Sequence, residues 1–252
     1  MKKLGLIFLF VIILILGSAL YYFLIKSKPK MEEFKKVNFV TKDGVTIVGN
    51  YYENKDAKFA GILIHQRPLT KESFDSFAKF LVNEGYLVLA IDLRGHGESV
   101  NSIKGKLDYN KFQEEEEKMS INDLEAASLF LEKNGYPKNK QFLIGSSIGA
   151  NLSFQFLSEN QDIKAGVLFS PGLNYRGIIL ENFKKDFLKD KILVISAKDD
   201  PPAYLATAKL KEWYATSTFL EFQTGGHGIG LLDIYPELKM QILNWLREKL
   251  VL

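Results

Sequence analysis

Gly145-Ser146-Ser147-Ile148-Gly149 decides how this chain is read. It follows an apolar run, Gln141-Phe142-Leu143-Ile144, and precedes a helix-like stretch at residues 150–160. Strand, sharp turn and helix form the setting in which G-x-S-x-G presents a serine as a nucleophile. The two outer glycines let backbones pass where a Cβ would clash. The middle residue is forced into a strained conformation that pushes its Oγ above the sheet, which makes Ser147 the candidate nucleophile. Five small residues also fit an ordinary glycine-rich turn, so the rest of the chain has to choose between the two readings.

On either side of that turn, short β-rich runs alternate with helical spacing. Residues 34–40 and 45–52 alternate in polarity around Asp43-Gly44, a hairpin signal. Residues 59–64, 86–91, 141–144, 165–169, 192–196 and 219–223 read as further strands, several of them apolar throughout, as strands buried on both faces are. Helical spacing marks residues 73–84, 120–133, 202–214 and 236–250, with Ser120 and Asp123 placed as a capping box. Alternation of this kind predicts an α/β fold: a mostly parallel central sheet of about eight strands, helices on both faces, and an antiparallel leading hairpin. Glu114-Glu115-Glu116-Glu117 reads as a solvated helix start, where carboxylates suit the helix dipole.

A serine hydroxyl needs a base, and the base needs an acid to hold its tautomer. The chain has three histidines, His65, His96 and His227. His227 lies in Gly225-Gly226-His227-Gly228, between the last strand and the last helix, at the kind of strand end where ligands meet such sheets. Between Ser147 and His227, a strand runs into Ala197-Lys198-Asp199-Asp200-Pro201, and both acids are candidates. Pro201 holds Asp200 in an extended backbone. The order serine, aspartate, histidine is the one found in α/β-hydrolases.

Four motifs then carry a family resemblance. They are His65-Gln66-Arg67-Pro68, Asp92-Leu93-Arg94-Gly95-His96-Gly97-Glu98-Ser99, the Gly145 to Gly149 turn, and Gly226-His227-Gly228. Over residues 36–250 the chain resembles the α/β-hydrolase superfamily, in its lid-poor serine esterase and serine aminopeptidase-like group. The resemblance implies a serine hydrolase that cleaves an ester-type bond (carboxylester, thioester, or aminoacyl and peptide) through an acyl-enzyme on Ser147, with no metal or organic cofactor; the alternative is a non-catalytic protein of the same fold, tethered to the membrane, that binds a ligand or partner. The family's acid usually comes three residues after a small residue that ends its strand. Ala197 holds that place, which selects Asp200. The resemblance also implies an oxyanion hole, with Ile148 N–H as one donor and Arg67 N–H, or Gln66 N–H, as the other. Gln66 departs from the His-Gly more common there, and its side chain would narrow the pocket or add a hydrogen bond. His65, Arg94 and His96 are expected to order their loops. The twenty residues at 171–190 are too few for a large cap, so an open site is expected, with Tyr175, Phe183 and Phe187 in a small flap or a packed short helix.

The N-terminal region is of another kind. Residues 4–25 carry no charge, and as a helix would measure about 33 Å, enough to cross a bilayer core. The expectation is a membrane anchor and linker over residues 1–30 and a hydrolase domain over residues 31–252, with that domain on the extracytoplasmic side. Lys2, Lys3 and Gly17-Ser18-Ala19 also fit a cleaved signal peptide, which would give a secreted protein. With no cysteine in 252 residues, disulfides, thiolate metal sites and a cysteine nucleophile are excluded. A dispersed net charge of +3 gives no footprint for nucleic acid, so the expected partners are a small-molecule or peptide substrate and a membrane.

Overall fold

The computed structural model describes residues 34–250. The expected membrane helix and its linker lie outside these residues. Among the described residues, no helix is long and apolar enough to cross a membrane.

The strands in chain order are β1 (Lys35–Val40), β2 (Val45–Tyr52), β3 (Ala60–Ile64), β4 (Leu87–Ile91), β5 (Asn101–Ser102), β6 (Gly105–Lys106), β7 (Gln141–Ser146), β8 (Ala165–Phe169), β9 (Asn174–Tyr175), β10 (Ile178–Ile179), β11 (Ile192–Ala197) and β12 (Thr218–Phe222). The helices are α1 (Asp75–Asn83), α2 (Glu114–Lys118), α3 (Ile121–Lys133), α4 (Ile148–Glu159), α5 (Pro201–Trp213), α6 (Leu231–Ile234) and α7 (Leu238–Lys249).

Six strands run parallel in the order β12-β11-β8-β7-β3-β4, and β2 joins β4 antiparallel. β1 pairs with β2 as the expected hairpin. The short β5–β6 hairpin, not foreseen from the sequence, extends the sheet beyond β2 to ten strands among the described residues. After β3 the chain moves to β4 on one side, then returns to place β7 on the other. Strand order therefore reverses between β3 and β7, and crevices for ligands form at such reversals. The loop carrying Gln66 and Arg67 leaves β3, and the turn carrying Ser147 leaves β7.

Apolar runs in the parallel strands alternate between two cores. Ile62, Leu89, Leu143 and Val194 pack with Leu124 and Leu131 of α3 and Leu152 and Phe156 of α4. Leu63, Val88, Ile144 and Ile195 pack with Phe77 and Leu81 of α1 and Ile242 and Leu246 of α7. Burial on both faces is why these strands read as continuous hydrophobic runs.

Two local expectations change. Ser120 is itself helical, with φ −62° and ψ −13°, and makes no capping bond. The Asp123 carboxylate accepts instead from Arg94 N–H at 2.8 Å and Arg94 Nε at 2.9 Å. α2 ends just before Ser120, so the chain enters α3 already turning, and the carboxylate is free to serve the loop after β4. In the acidic run, Glu117 is buried, and Arg67 Nη1 donates to it. Burial holds the Glu117 carboxyl above its ordinary range.

Candidate active site

The turn between β7 and α4 has little room. A Cβ on Gly145 would come 2.1 Å from the Gly149 carbonyl oxygen, and one on Gly149 would come 2.3 Å from that of Ile64. Glycine at both positions lets α4 fold tightly back over β3 and β7. Ser147 between them has φ 55° and ψ −117°. A non-glycine residue in such a conformation costs about 1–3 kcal/mol and is kept where the surroundings enforce it. Here Ser147 N–H donates to Phe169 O of β8 at 2.8 Å. Ile148 opens α4, so its N–H belongs to the first turn, where backbone donors have no partner within the helix.

At the end of β11, two neighbouring acids divide the work. Asp199 accepts from Gly225 N–H and Gly226 N–H, each at 3.0 Å, and so fastens the loop that leads to His227. Asp200 Oδ2 lies 2.6 Å from His227 Nδ1. Pro201 and Pro202 open α5 without N–H donors of their own. The Asp200 side chain therefore does not cap its helix and turns to the imidazole. Accepting at Nδ1–H, Asp200 holds His227 in the tautomer whose Nε2 has a lone pair.

Gln66 links two loops. Its side-chain Oε1 accepts from Ser146 Oγ at 2.7 Å and from Ile229 N–H at 3.0 Å. Gly228 passes so close that a Cβ there would fall 1.9 Å from this oxygen and 2.6 Å from Ser146 Oγ. The His227 loop is thus laid directly over the residue before Ser147. A further tie runs from Gly228 N–H to Ser170 Oγ at 2.8 Å.

The Gln66 carbonyl is also held. It accepts from Leu69 N–H at 2.8 Å and faces His65 Nδ1 at 3.1 Å. His65 Nε2 accepts from Leu93 N–H at 3.0 Å, which leaves its proton on Nδ1 as a donor to Gln66. Burial pulls the His65 pKa down to about 4, so the ring stays neutral. Carbonyl and N–H of a trans peptide point in opposite directions. With the Gln66 carbonyl drawn toward His65, the Arg67 N–H points the other way. The Arg67 guanidinium is occupied by Glu117 and by Tyr109 O at 3.2 Å, and lies 4.7 Å above the Tyr109 ring.

The residues of the second motif brace the scaffold. Asp92 accepts from Lys71 N–H, Lys71 Nζ and Glu98 N–H at 2.9, 2.7 and 2.9 Å. Arg94 joins Asp123 and Asp43, and His96 stacks on Tyr109 at 3.9 Å. Among the described residues, none of these groups is hydrogen-bonded to His227 or Ser147.

Ser147 and His227 share no direct hydrogen bond among the described residues. The Tyr175 ring meets the His227 ring edge-on with centroids 6.1 Å apart. The segment after β8 is not a short helix at this point. It is the β9–β10 hairpin, followed by two 3-10 turns. Its two-residue loop, Arg176 and Gly177, has φ values of 54° and 83°, as a type I′ turn requires. Glycine at 177, between β-prone Tyr175 and Ile178, was the sequence signal for this hairpin.

Residues 57–198, more than half of the chain, match the family model described as serine aminopeptidase, S33. A putative non-heme chloroperoxidase of Synechocystis sp. is 25% identical over 186 residues, covering 72% of this chain and 61% of that protein. The chain thus spans less than two thirds of that relative. Among solved structures, an esterase of Pyrococcus furiosus superposes with a TM-score of 0.69 at 21% identity, covering 86% of this chain and 91% of its own. A serine hydrolase of Xanthomonas campestris described as having no lid gives a TM-score of 0.62 at 15% identity, covering 86% and 95%.

Proposed function

The chain belongs to the serine aminopeptidase S33 family of α/β-hydrolases, and from that premise we propose that it cleaves an ester-type bond through an acyl-enzyme on Ser147. The 2.6 Å contact of Asp200 with His227, on a loop laid over the strained turn of Ser147, is the observation that supports this most. His227 takes the Ser147 proton as the hydroxyl attacks the carbonyl carbon, and returns it to the leaving group. Water then attacks the acyl-enzyme by the same route, and Ser147 is regenerated. Asp200 holds the ring and stabilises the imidazolium that forms between the two transfers. Ile148 N–H and Arg67 N–H, or Gln66 N–H in its place, receive the oxyanion. Removing one such donor costs about 3–4 kcal/mol in a well-studied protease.

The open rim suits small carboxylesters, thioesters and aminoacyl or peptide ends better than a deeply enclosed lipid. No metal or organic cofactor enters this scheme. Residues 4–25 would tether the enzyme to a membrane, with the catalytic domain on the extracytoplasmic side. The test is hydrolysis of p-nitrophenyl esters of increasing acyl length by the full chain, together with labelling by a fluorophosphonate probe. Short esters should be preferred, and Ser147→Ala should lose both turnover and label while keeping its melting temperature. Ester hydrolysis retained in Ser147→Ala would overturn the assignment, and a preference for long chains would overturn the substrate class.

A further inference from the structure

The end of β8 lies between the strand that delivers the nucleophile and the strand that delivers the acid. Phe169 and Ser170 there are bonded to all three parts of the site. Phe169 O accepts from Ser147 N–H at 2.8 Å, and Ser170 N–H donates at 2.8 Å to Ile195 O of β11, the strand that leads to Asp200. Ser170 Oγ accepts from Gly228 N–H at 2.8 Å. That N–H belongs to the planar peptide unit that starts at the His227 Cα, so holding it fixes the direction in which the chain leaves the carbon bearing the imidazole. The next amide, Ile229 N–H, is held by Gln66 from the end of β3. Consecutive amides after His227 are thus held from the strands on both sides of β7.

Ser170 is fully buried, so substrate does not reach it. Its φ is 45°, a left-handed backbone that costs an L residue free energy and that glycine adopts freely. Such a conformation persists where ties on both sides enforce it. Before it stands the bond to Ile195. After it, Asn151 of α4 donates through Nδ2 to Gly172 O at 2.7 Å and to Ile178 O at 2.9 Å, and accepts from Gly172 N–H at 3.0 Å. What serine adds over glycine here is a Cβ and a hydroxyl, and the hydroxyl is the acceptor for Gly228.

Resting on the assignment of Ser147, Asp200 and His227 as the reacting groups, we propose that Ser170 is a positioning residue for acyl transfer: its hydroxyl holds the backbone of His227 in register with Ser147, whose own N–H hangs on the preceding residue. The two residues that exchange a proton are then referred to one point of the sheet. Asp200 sets the tautomer of the ring, and Ser170 sets where the ring stands. No proton passes to or from Ser170.

Ser170→Ala and Ser170→Gly both remove the acceptor, but only glycine also relieves the strain. A displacement of about 1 Å at a reacting group costs on the order of 100-fold, so kcat on p-nitrophenyl acetate should fall roughly 10- to 100-fold in both variants, with KM within about twofold. The rate constant for fluorophosphonate labelling should fall in step. The melting temperature of Ser170→Gly should lie at or above that of Ser170→Ala, yet Ser170→Gly should be no faster. A packing role predicts the reverse, with glycine regaining activity along with stability, and that result would overturn the inference. Ser170→Cys keeps the shape with a weaker acceptor and should fall between wild type and Ser170→Ala in kcat; a value no higher than that of Ser170→Ala would also overturn it. So would unchanged kcat in all three variants of a wild type that turns over and takes the label. A wild-type chain that does neither would remove the parent reading, and this one with it.

Discussion

Replacing Gln66 with methionine keeps the length of the side chain and removes its carbonyl. That carbonyl accepts from Ser146 Oγ at 2.7 Å and from Ile229 N–H at 3.0 Å. Ser146 is 0% exposed and Ile229 9%, so water is poorly placed to replace it. A buried donor left without an acceptor costs about 1–3 kcal/mol. The Ser146 hydroxyl can rotate toward another acceptor, whereas the Ile229 N–H is fixed by the backbone. The sum expected for Gln66→Met is therefore about 2–4 kcal/mol, short of two full penalties. For a domain of this size each kcal/mol moves Tm by about 2–4 °C, so Tm should fall by roughly 4–16 °C. Thermal unfolding followed by circular dichroism measures this, and Gln66→Glu, which keeps both acceptor lone pairs, should melt closer to the wild type. A loss below about 1 °C in Gln66→Met would refute the reasoning, because the loops after β3 and β12 would then be held together by something other than this oxygen.

Acid should weaken the fold through two buried imidazoles. Burial pulls His65 to about 4, and burial with His65 alongside pulls His96 to about 3, so the unfolded chain takes up protons first as pH falls below its ordinary 6.5. Their contribution is complete above pH 6.5 and is lost as pH falls toward 4 and then 3; at pH 5.5 each should cost on the order of 1–1.5 kcal/mol. Urea titrations at pH 7.5 and 5.5 that gave equal stabilities would contradict this. Lys71→Met strands the Asp92 carboxylate beside an apolar side chain, with the two groups 1% and 0% exposed, and should destabilise by about 3–5 kcal/mol in denaturant titration. Asn151→Ala should release the β9–β10 hairpin, seen as amide exchange about tenfold faster or more over residues 172–180 while β7 keeps its protection.

Elements governed by periodicity and by turn chemistry were legible. The expected strands at 45–52 and 165–169 coincide with β2 and β8: alternation beside a hairpin turn marks the first, and burial of every residue marks the second. The turn at Ser147 was legible because only glycine tolerates the contacts on either side of it. What could not be read were side chains whose partners are distant in sequence. Gln66 is 163 residues from Ile229, and Asp123 is 29 from Arg94; neither local pattern records such a pairing. Only the family resemblance, through the spacing from Ala197, selects Asp200 over Asp199; position alone leaves both at the end of the same strand, and they differ in what each side chain reaches. Tyr175 was grouped with apolar neighbours because a phenol reads as hydrophobic until its ring is seen edge-on to His227.

The adjacent grips of Asp199 and Asp200 have a dynamic consequence. One carboxylate clasps the peptide leading to the imidazole and the other clasps the imidazole itself, and both stem from the rigid end of β11. The loop and the ring it carries are therefore both tethered to one strand end, whereas, among the described residues, no hydrogen bond spans the gap between ring and hydroxyl, the coordinate along which a proton must travel.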